Sequence, residues 1–202
     1  MVGFTLSAVV LAAGKSERMG TNKLLLEVGG LTILDRILTV LESVTDEVIV
    51  VLGHRPEELK PIVKRHNAVP VLNLDYERGM TTSIKAGLRY ASGDAAFIVL
   101  GDQIGLGSGL LNSMVSIIIS DPEALIVSPV YKGRRGHPIL VRKTLFQEIQ
   151  ALEERETLRE VIIRHDDAHR FVEGGVWCIM DIDTPEEFEN AKRLFENRYA
   201  SS

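Results

Sequence analysis

The chain has 202 residues, 45% hydrophobic and 25% charged, with a formal net charge of −5. That length suits one compact domain spanning 1–202, and the composition excludes wholesale disorder and fibrous repeats. The acidic balance excludes a nucleic-acid binder that works by broad phosphate neutralisation. The single cysteine, Cys178, has no internal disulfide partner and reads as a core residue of a reducing compartment. No apolar run reaches the roughly 18–20 residues that a bilayer span needs. Met1–Gly14 lacks the basic residue that opens an export signal, so the expectation is a buried first strand in a cytoplasmic protein with no membrane contact.

Short β-rich apolar runs alternate along the chain with segments of helical spacing, the pattern of a mostly parallel sheet covered on both faces. The runs expected as strands are Leu6–Ala12, Glu47–Gly53, Val69–Asn73, Ala95–Gly101, Ala124–Val130, Pro138–Val141 and Val176–Asp181. Between them, Leu31–Val44 places Ile33, Ile37, Val40, Leu41 and Val44 on one helical face. Helices are expected as well over Pro56–His66, Thr81–Ala91, Gly109–Ile119 and Lys143–Leu152. The charged run Glu153–Glu160 reads as a solvated helical face or connection. The last helix has a clear start, with Thr184 as N-cap, Pro185 at the first helical position and Glu187 completing a capping box, and runs to about Tyr199. The fold class is α/β in a single domain.

In an open parallel sheet, ligands bind beyond the carboxyl ends of the strands. After the first strand, Gly14 allows a tight turn and close approach to a ligand, while Lys15, Arg18 and Lys23 set three cations in one loop. Such clustering in an acidic protein suits a polyphosphate, although a solvated turn with incidental charge has the same composition. Gly14, Lys15 and Ser16 look like the end of a P-loop, but that motif needs a glycine where Val9 stands. The dinucleotide pattern fails too, because Ser16 and Met19 occupy the positions of its later glycines. After the strand ending at Gly101, Asp102 offers a carboxylate suited to Mg²⁺, or a simple turn former. Asp181 and Asp183 share a face if their strand continues, and either approaches the same metal or favours the start of the last helix. His54, His66, His165 and His169 show no metal-ligand spacing and read as structural.

Together these stretches resemble the MobA-like nucleotidyltransferases, and within them the molybdenum cofactor cytidylyltransferase (MocA-type) branch. The opening LAAGKSERMGTNKLLL (Leu11–Leu26) is similar to that branch's LAAGxSxRMGxxKLLL. ERGMTTSIKAGL (Glu77–Leu88), GDQ (Gly101–Gln103), GRRGHPILV (Gly133–Val141) and DIDTPEEF (Asp181–Phe188) extend the likeness over nearly the whole chain in order. The resemblance implies a Rossmann-like, glycosyltransferase-A-like fold with a mostly parallel mixed sheet flanked by helices.

It also implies that Leu11, Ala12, Ala13 and Gly14 line the base and ribose, with Gly79, Met80 and Ser83 closing the base pocket. Arg18 and Lys23 hold the triphosphate, and with Asp102 they are the expected catalytic residues. Asp102 holds Mg²⁺ with Asp183 and, as helper, Asp181. Arg134, Arg135, Gly136 and His137 face the acceptor, where the cations receive the phosphate of a pterin. The implied reaction transfers CMP from CTP to molybdopterin, giving molybdopterin cytosine dinucleotide and pyrophosphate, with a molybdoenzyme as recipient and a monomer or weak homodimer as the working state. Ile104 departs from the family's proline after GDQ. Ala13 and Asn22 match the cytidylyl pattern, since the guanylyl branch tends to carry glycine and an acidic residue there, which favours CTP over GTP. The rivals are a guanylyltransferase, a transferase to a sugar or alditol phosphate, and a nucleotide-binding regulatory or chaperone-like module. A flavodoxin-like redox protein shares the fold rhythm without this loop.

Overall fold

The structure, a computed structural model, describes residues 3–199, with side chains through residue 197. The ends of the expected 1–202 span thus lie outside the described residues. Strand β1 (Leu6–Ala12) is followed by β2 (Glu27–Val28) and β3 (Leu31–Thr32), an antiparallel pair that leads into α1 (Ile33–Glu42). Next come β4 (Glu47–Leu52), α2 (Pro56–Arg65), β5 (Val69–Leu72), α3 (Met80–Leu88), β6 (Ala95–Leu100) and α4 (Ser108–Ser120). The remaining elements are β7 (Ile126–Tyr131), β8 (Arg134–Arg135), β9 (Ile139–Arg142), α5 (Phe146–Ala151), α6 (Leu158–Arg164), β10 (His169–Glu173) and α7 (Pro185–Tyr199).

One eight-stranded sheet runs β10-β7-β9-β6-β1-β4-β5, with β8 attached to β7. β5, β4, β1 and β6 are parallel neighbours, β9 runs against both β6 and β7, and β10 is parallel to β7. This is the mostly parallel sheet that the alternating runs predict, mixed as the resemblance implies. Successive side chains point to opposite faces, so β1 divides its apolar residues between two cores. Ala8, Val10 and Ala12 join Val50, Leu52, Phe97 and Val99 beneath α1, α2, α4 and α7. Val9, Ile49, Val51 and Ile98 pack on the other face beneath α3, α5 and α6. No described helix is long and apolar enough to cross a membrane.

Three local differences from the sequence reading have physical causes. Val176–Asp181 is not a strand: Val176–Ile179 is a short 3-10 turn, and its apolar side chains plug the molecule. Trp177 fills space over Gly105, where an added Cβ would lie 2.1 Å from the indole, and the Cys178 carbonyl accepts the His137 N–H at 2.8 Å. The strand is instead His169–Glu173, an edge strand whose alternating burial hides its apolar content. Finally, part of the charged run opens α6: Thr157 and Glu160 form a capping box, and Leu158 and Val161 are buried behind it. The box expected at Thr184 is present as well, with the Thr184 N–H donating to Glu187 Oε2 at 2.9 Å.

Candidate active site

A cavity of about 380 Å³ opens beyond the carboxyl ends of β1 and β6. Leu11, Ala12, Ala13 and Gly14 form one wall, Met80 and Ser83 of α3 another, and Asp102, Asp181 and Asp183 the charged side. The loop after β1 does not turn at Gly14: the left-handed residues are Ser16 (φ 51°) and Gly20 (φ 68°). A Cβ at Gly14 would meet nothing within 4 Å, so the glycine keeps open space in the cavity wall.

Lys23 stands on a 3-10 turn, Lys23–Leu25, capped by Asn22, whose side chain accepts the Leu24 N–H at 3.2 Å. From there its ammonium donates to Asp102 Oδ2 at 2.5 Å, to the Ile182 carbonyl at 2.8 Å and to Asp183 Oδ1 at 3.1 Å. Burial works against the charge on Lys23, yet the carboxylates of Asp102 and Asp183 outweigh it and hold the ammonium above the ordinary lysine range. The hydrogen bond from Lys23 holds the Asp183 carboxyl below the usual carboxylate range, against the opposing cost of burial. Arg18 reaches Asp183 Oδ2 at 2.5 Å from the surface, with its side chain 68% exposed. Four residues from three distant stretches of the sequence therefore converge, and Asp102 and Asp183 both bond the Lys23 ammonium.

Other expected residues fall elsewhere. Asp181 lines the cavity but does not gather with Asp102 and Asp183: no group of three or more acidic, histidine or cysteine side chains placed for a metal exists among the described residues. The reason is the plug, which replaces the regular strand that would have aligned Asp181 with Asp183. Lys15 turns away to Glu77 at 2.6 Å. Asn22 lies outside the cavity and donates to Glu58 Oε2 at 3.2 Å, so an acidic residue there would meet a like charge. Its amide is thus tied to Glu58, and its cap on the Lys23–Leu25 turn ties it to the cavity through Lys23.

Gly79 lines a second cavity, of about 790 Å³, which meets the first at Met80. Arg135, Gly136 and His137 line it as well, with Ile84, Ile139, Leu158, Ile162, Ser128 and His169. Arg134 is exposed and lines neither cavity. Arg135 is held by Asp166 at 2.9 Å, and its guanidinium sits 4.9 Å from the Phe171 ring centre. Burial pushes the His137 imidazole below its usual range, and its Nδ1 is buried without a hydrogen-bond partner. His169 accompanies it: its Nε2 pairs with Ser128 Oγ at 2.9 Å, and burial drives its pKa down to about 4.

Sequence reasoning treated His169 as structural and passed over Tyr76, Ser16 and the Ile182 carbonyl, all of which are at these sites. Asn73 lines neither cavity, but its Nδ2 donates to Ser83 Oγ at 3.0 Å; it follows β5 directly, and the rule of weighing residues just past strand ends, applied at β5, finds it. His66, by contrast, bridges Asp35 and Glu42, and His165 binds Glu148, as structural histidines do.

Comparison with known proteins identifies the family. The MobA-like NTP transferase domain matches residues 8–169. The chain is 29% identical to the molybdenum cofactor cytidylyltransferase of Escherichia coli (strain K12) over 191 residues, 94% of this chain and 97% of that protein. It is 32% identical to the purine catabolism protein PucB of Bacillus subtilis (strain 168), over 93% of this chain and 96% of that one. The crystal structure of Rv0371c from Mycobacterium tuberculosis H37Rv superposes with a TM-score of 0.81 at 26% identity, covering 94% of this chain and 98% of the other. The match over residues 8–169 places the chain, with its half-buried lysine between two carboxylates, in the MobA-like NTP transferase family, as an enzyme of the nucleotidyltransferase type.

Proposed function

We propose that the enzyme transfers CMP from CTP to the terminal phosphate of a molybdopterin-type acceptor. An acceptor phosphate oxygen bonds to the α-phosphorus of CTP, and the bond from that phosphorus to the pyrophosphate oxygen breaks. The nucleophile is already an anion, so no general base is needed, and the protein's contribution is placement and charge neutralisation. The observation that carries this reading is Lys23 held between Asp102 and Asp183 at the mouth of the β1 loop cavity. Lys23 and Arg18 neutralise the departing pyrophosphate: arginine's fork grips two oxygens, and lysine supplies a compact charge. Leu11–Gly14, Met80 and Ser83 enclose the base and ribose.

Two carboxylates already arranged around one cation are hard oxygen donors that fit Mg²⁺, and Asp102 and Asp183 are the residues that would hold it. Such an ion, when bound, supplies further neutralisation of phosphate charge. The larger cavity beside Met80 suits the acceptor, with Arg135, Gly136 and His137 in its wall. The same reading makes 1–202 one catalytic domain of the cytoplasm.

The test is pyrophosphate release by purified enzyme given molybdenum-loaded molybdopterin and Mg²⁺ with CTP, GTP, ATP or UTP. CTP is expected to be preferred. Preference for GTP would move the enzyme to the guanylyl branch, and no release with any of the four would overturn the reading. The similarity to a purine catabolism protein supports a second element, that the product serves an enzyme of purine breakdown.

A further inference from the structure

The wall of the first cavity includes a nearly buried hydroxyl, that of Ser83, whose hydrogen has no acceptor among the described residues. Asn73 is 6% exposed, and its backbone N–H is tied to the Leu52 carbonyl at 2.8 Å. Its Oδ1 accepts the Asp75 N–H at 3.0 Å, which fixes the amide's orientation and leaves Nδ2 as the donor on the other side. Nδ2 donates to Thr82 Oγ1 at 2.9 Å and to Ser83 Oγ at 3.0 Å. Thr82 then passes its own hydrogen to the carbonyls of Gly79 (2.8 Å) and Asp75 (3.0 Å). Ser83 has no such outlet: its Oγ donates to no acceptor among the described residues, although the residue is only 5% exposed and lines the cavity beside Leu11, Ala12 and Ala13.

A hydroxyl has one hydrogen to give. With the Asn73 N–H directed at its oxygen, that hydrogen cannot face Asn73 and is left for whatever occupies the cavity. We infer that Asn73 is a positioning residue that presents the Ser83 hydroxyl as a hydrogen-bond donor to a carbonyl oxygen of the nucleobase. The inference rests on reading this cavity as the nucleotide site and adds a chemical filter to it. Cytosine and guanine carry such an oxygen. Adenine does not. A buried donor left without an acceptor costs binding energy, so the filter acts by penalising the base that lacks the carbonyl.

The experiment is calorimetric titration of wild type, Ser83→Ala, Asn73→Ala and Asn73→Asp with CTP, GTP and ATP, and of wild type with inorganic tripolyphosphate. ATP carries the same triphosphate, so the readout is the affinity ratio of the preferred carbonyl-bearing nucleotide to ATP, which a purely structural role of Asn73 leaves unchanged. Ser83→Ala is expected to lower that ratio about tenfold, the scale of one hydrogen bond. Asn73→Asp is expected to lower it at least as far, because the carboxylate takes the Ser83 hydrogen and turns the oxygen's lone pairs toward the base. Asn73→Ala, which frees the hydroxyl to rotate, is expected to lower it only a few-fold. An unchanged ratio in Asn73→Asp, or in Asn73→Ala should the Asp variant not fold, while Ser83→Ala loses it, overturns the positioning role alone. Wild type binding tripolyphosphate yet no nucleotide more tightly overturns the nucleotide reading of the cavity itself.

Discussion

The cavity beyond β1 and the cavity beside it share Met80 but handle charge in opposite ways. In the first, the charges point inward: Lys23 and Asp102 side chains are only 17% and 16% exposed, and they pair across the opening. In the second, most of the charged lining residues are paired, Arg78 with Glu154 at 2.9 Å, Arg135 with Asp166 at 2.9 Å and Glu156 with Arg164, while Arg159 is exposed. The wall keeps Ile84, Ile139, Leu158 and two histidines whose protonation burial suppresses. A phosphate chain needs fixed cations that do not have to be ordered at the moment of reaction, and the first cavity supplies them. An uncharged ring system needs apolar contact and neutral hydrogen-bonding groups, which the second supplies.

Removing charge from the first cavity is therefore expected to have the largest consequences. Asp102→Asn is expected to lower kcat by ~10³-fold with the fold intact, since it strips the carboxylate that pairs with Lys23 and that the proposed reaction sets beside the phosphates. Pyrophosphate release alongside a thermal melt measures this, and near-normal turnover in Mg²⁺ would remove Asp102 from the chemistry. Lys23→Ala is expected to cost about 2–4 kcal/mol of transition-state stabilisation. Arg18→Ala is expected to cost less, about 1–2 kcal/mol, because its guanidinium works from the solvent, where charge is screened. Equal losses for the two would mean that Arg18 closes into the cavity when nucleotide binds.

The sequence made the charged cavity far more legible than the neutral one. Gly14, Lys23, Asp102 and Asp183 announce themselves because they stand just past strand ends or helix starts in loops whose residue types suit phosphate. The parallel core was equally plain, since Leu6–Ala12, Glu47–Leu52 and Ala95–Leu100 are buried on both faces and read as unbroken apolar runs. The neutral cavity is assembled from pieces without such patterning. His169 begins a strand too polar to look like one, and α6 hides its buried stripe in a charged run, although Thr157 and Glu160 spell the same capping box that was read at Thr184. Val176–Ile179 misleads in the other direction, because a plug needs the same apolar residues as a strand. Met80, which the resemblance puts in the base pocket, is 54% exposed between the cavities, whereas Met114 of α4 is fully buried.

The next prediction separates the two cavities kinetically. His137→Ala removes an imidazole from the neutral wall and leaves Lys23 and Asp102 in place, so the acceptor's KM is expected to rise about tenfold while that of CTP changes little. Initial rates with each substrate varied at saturating levels of the other give both constants. A rise confined to CTP would assign His137 to the charged cavity and erase the division.

The smallest expected effect concerns how firmly the second cavity is kept neutral. Burial, with the Arg135 charge acting the same way, pushes the His169 pKa from 6.5 down to about 4. Between those values the unfolded chain binds a proton that the folded chain refuses. The stability is therefore full above about pH 6.5, declines as pH falls through this window and levels off below about pH 4. At about 1.4 kcal/mol for each pH unit of difference, and allowing for partial solvent access, the decline due to this residue is about 2 kcal/mol. His169→Asn keeps a polar group near Ser128 that cannot titrate in this range. Urea unfolding at about pH 7 and about pH 4.5 is expected to show wild type losing about 2 kcal/mol more than the variant. Equal losses would show that His169 takes up its proton in the folded protein, and the second cavity would then carry positive charge in acid, as the first already does through Lys23.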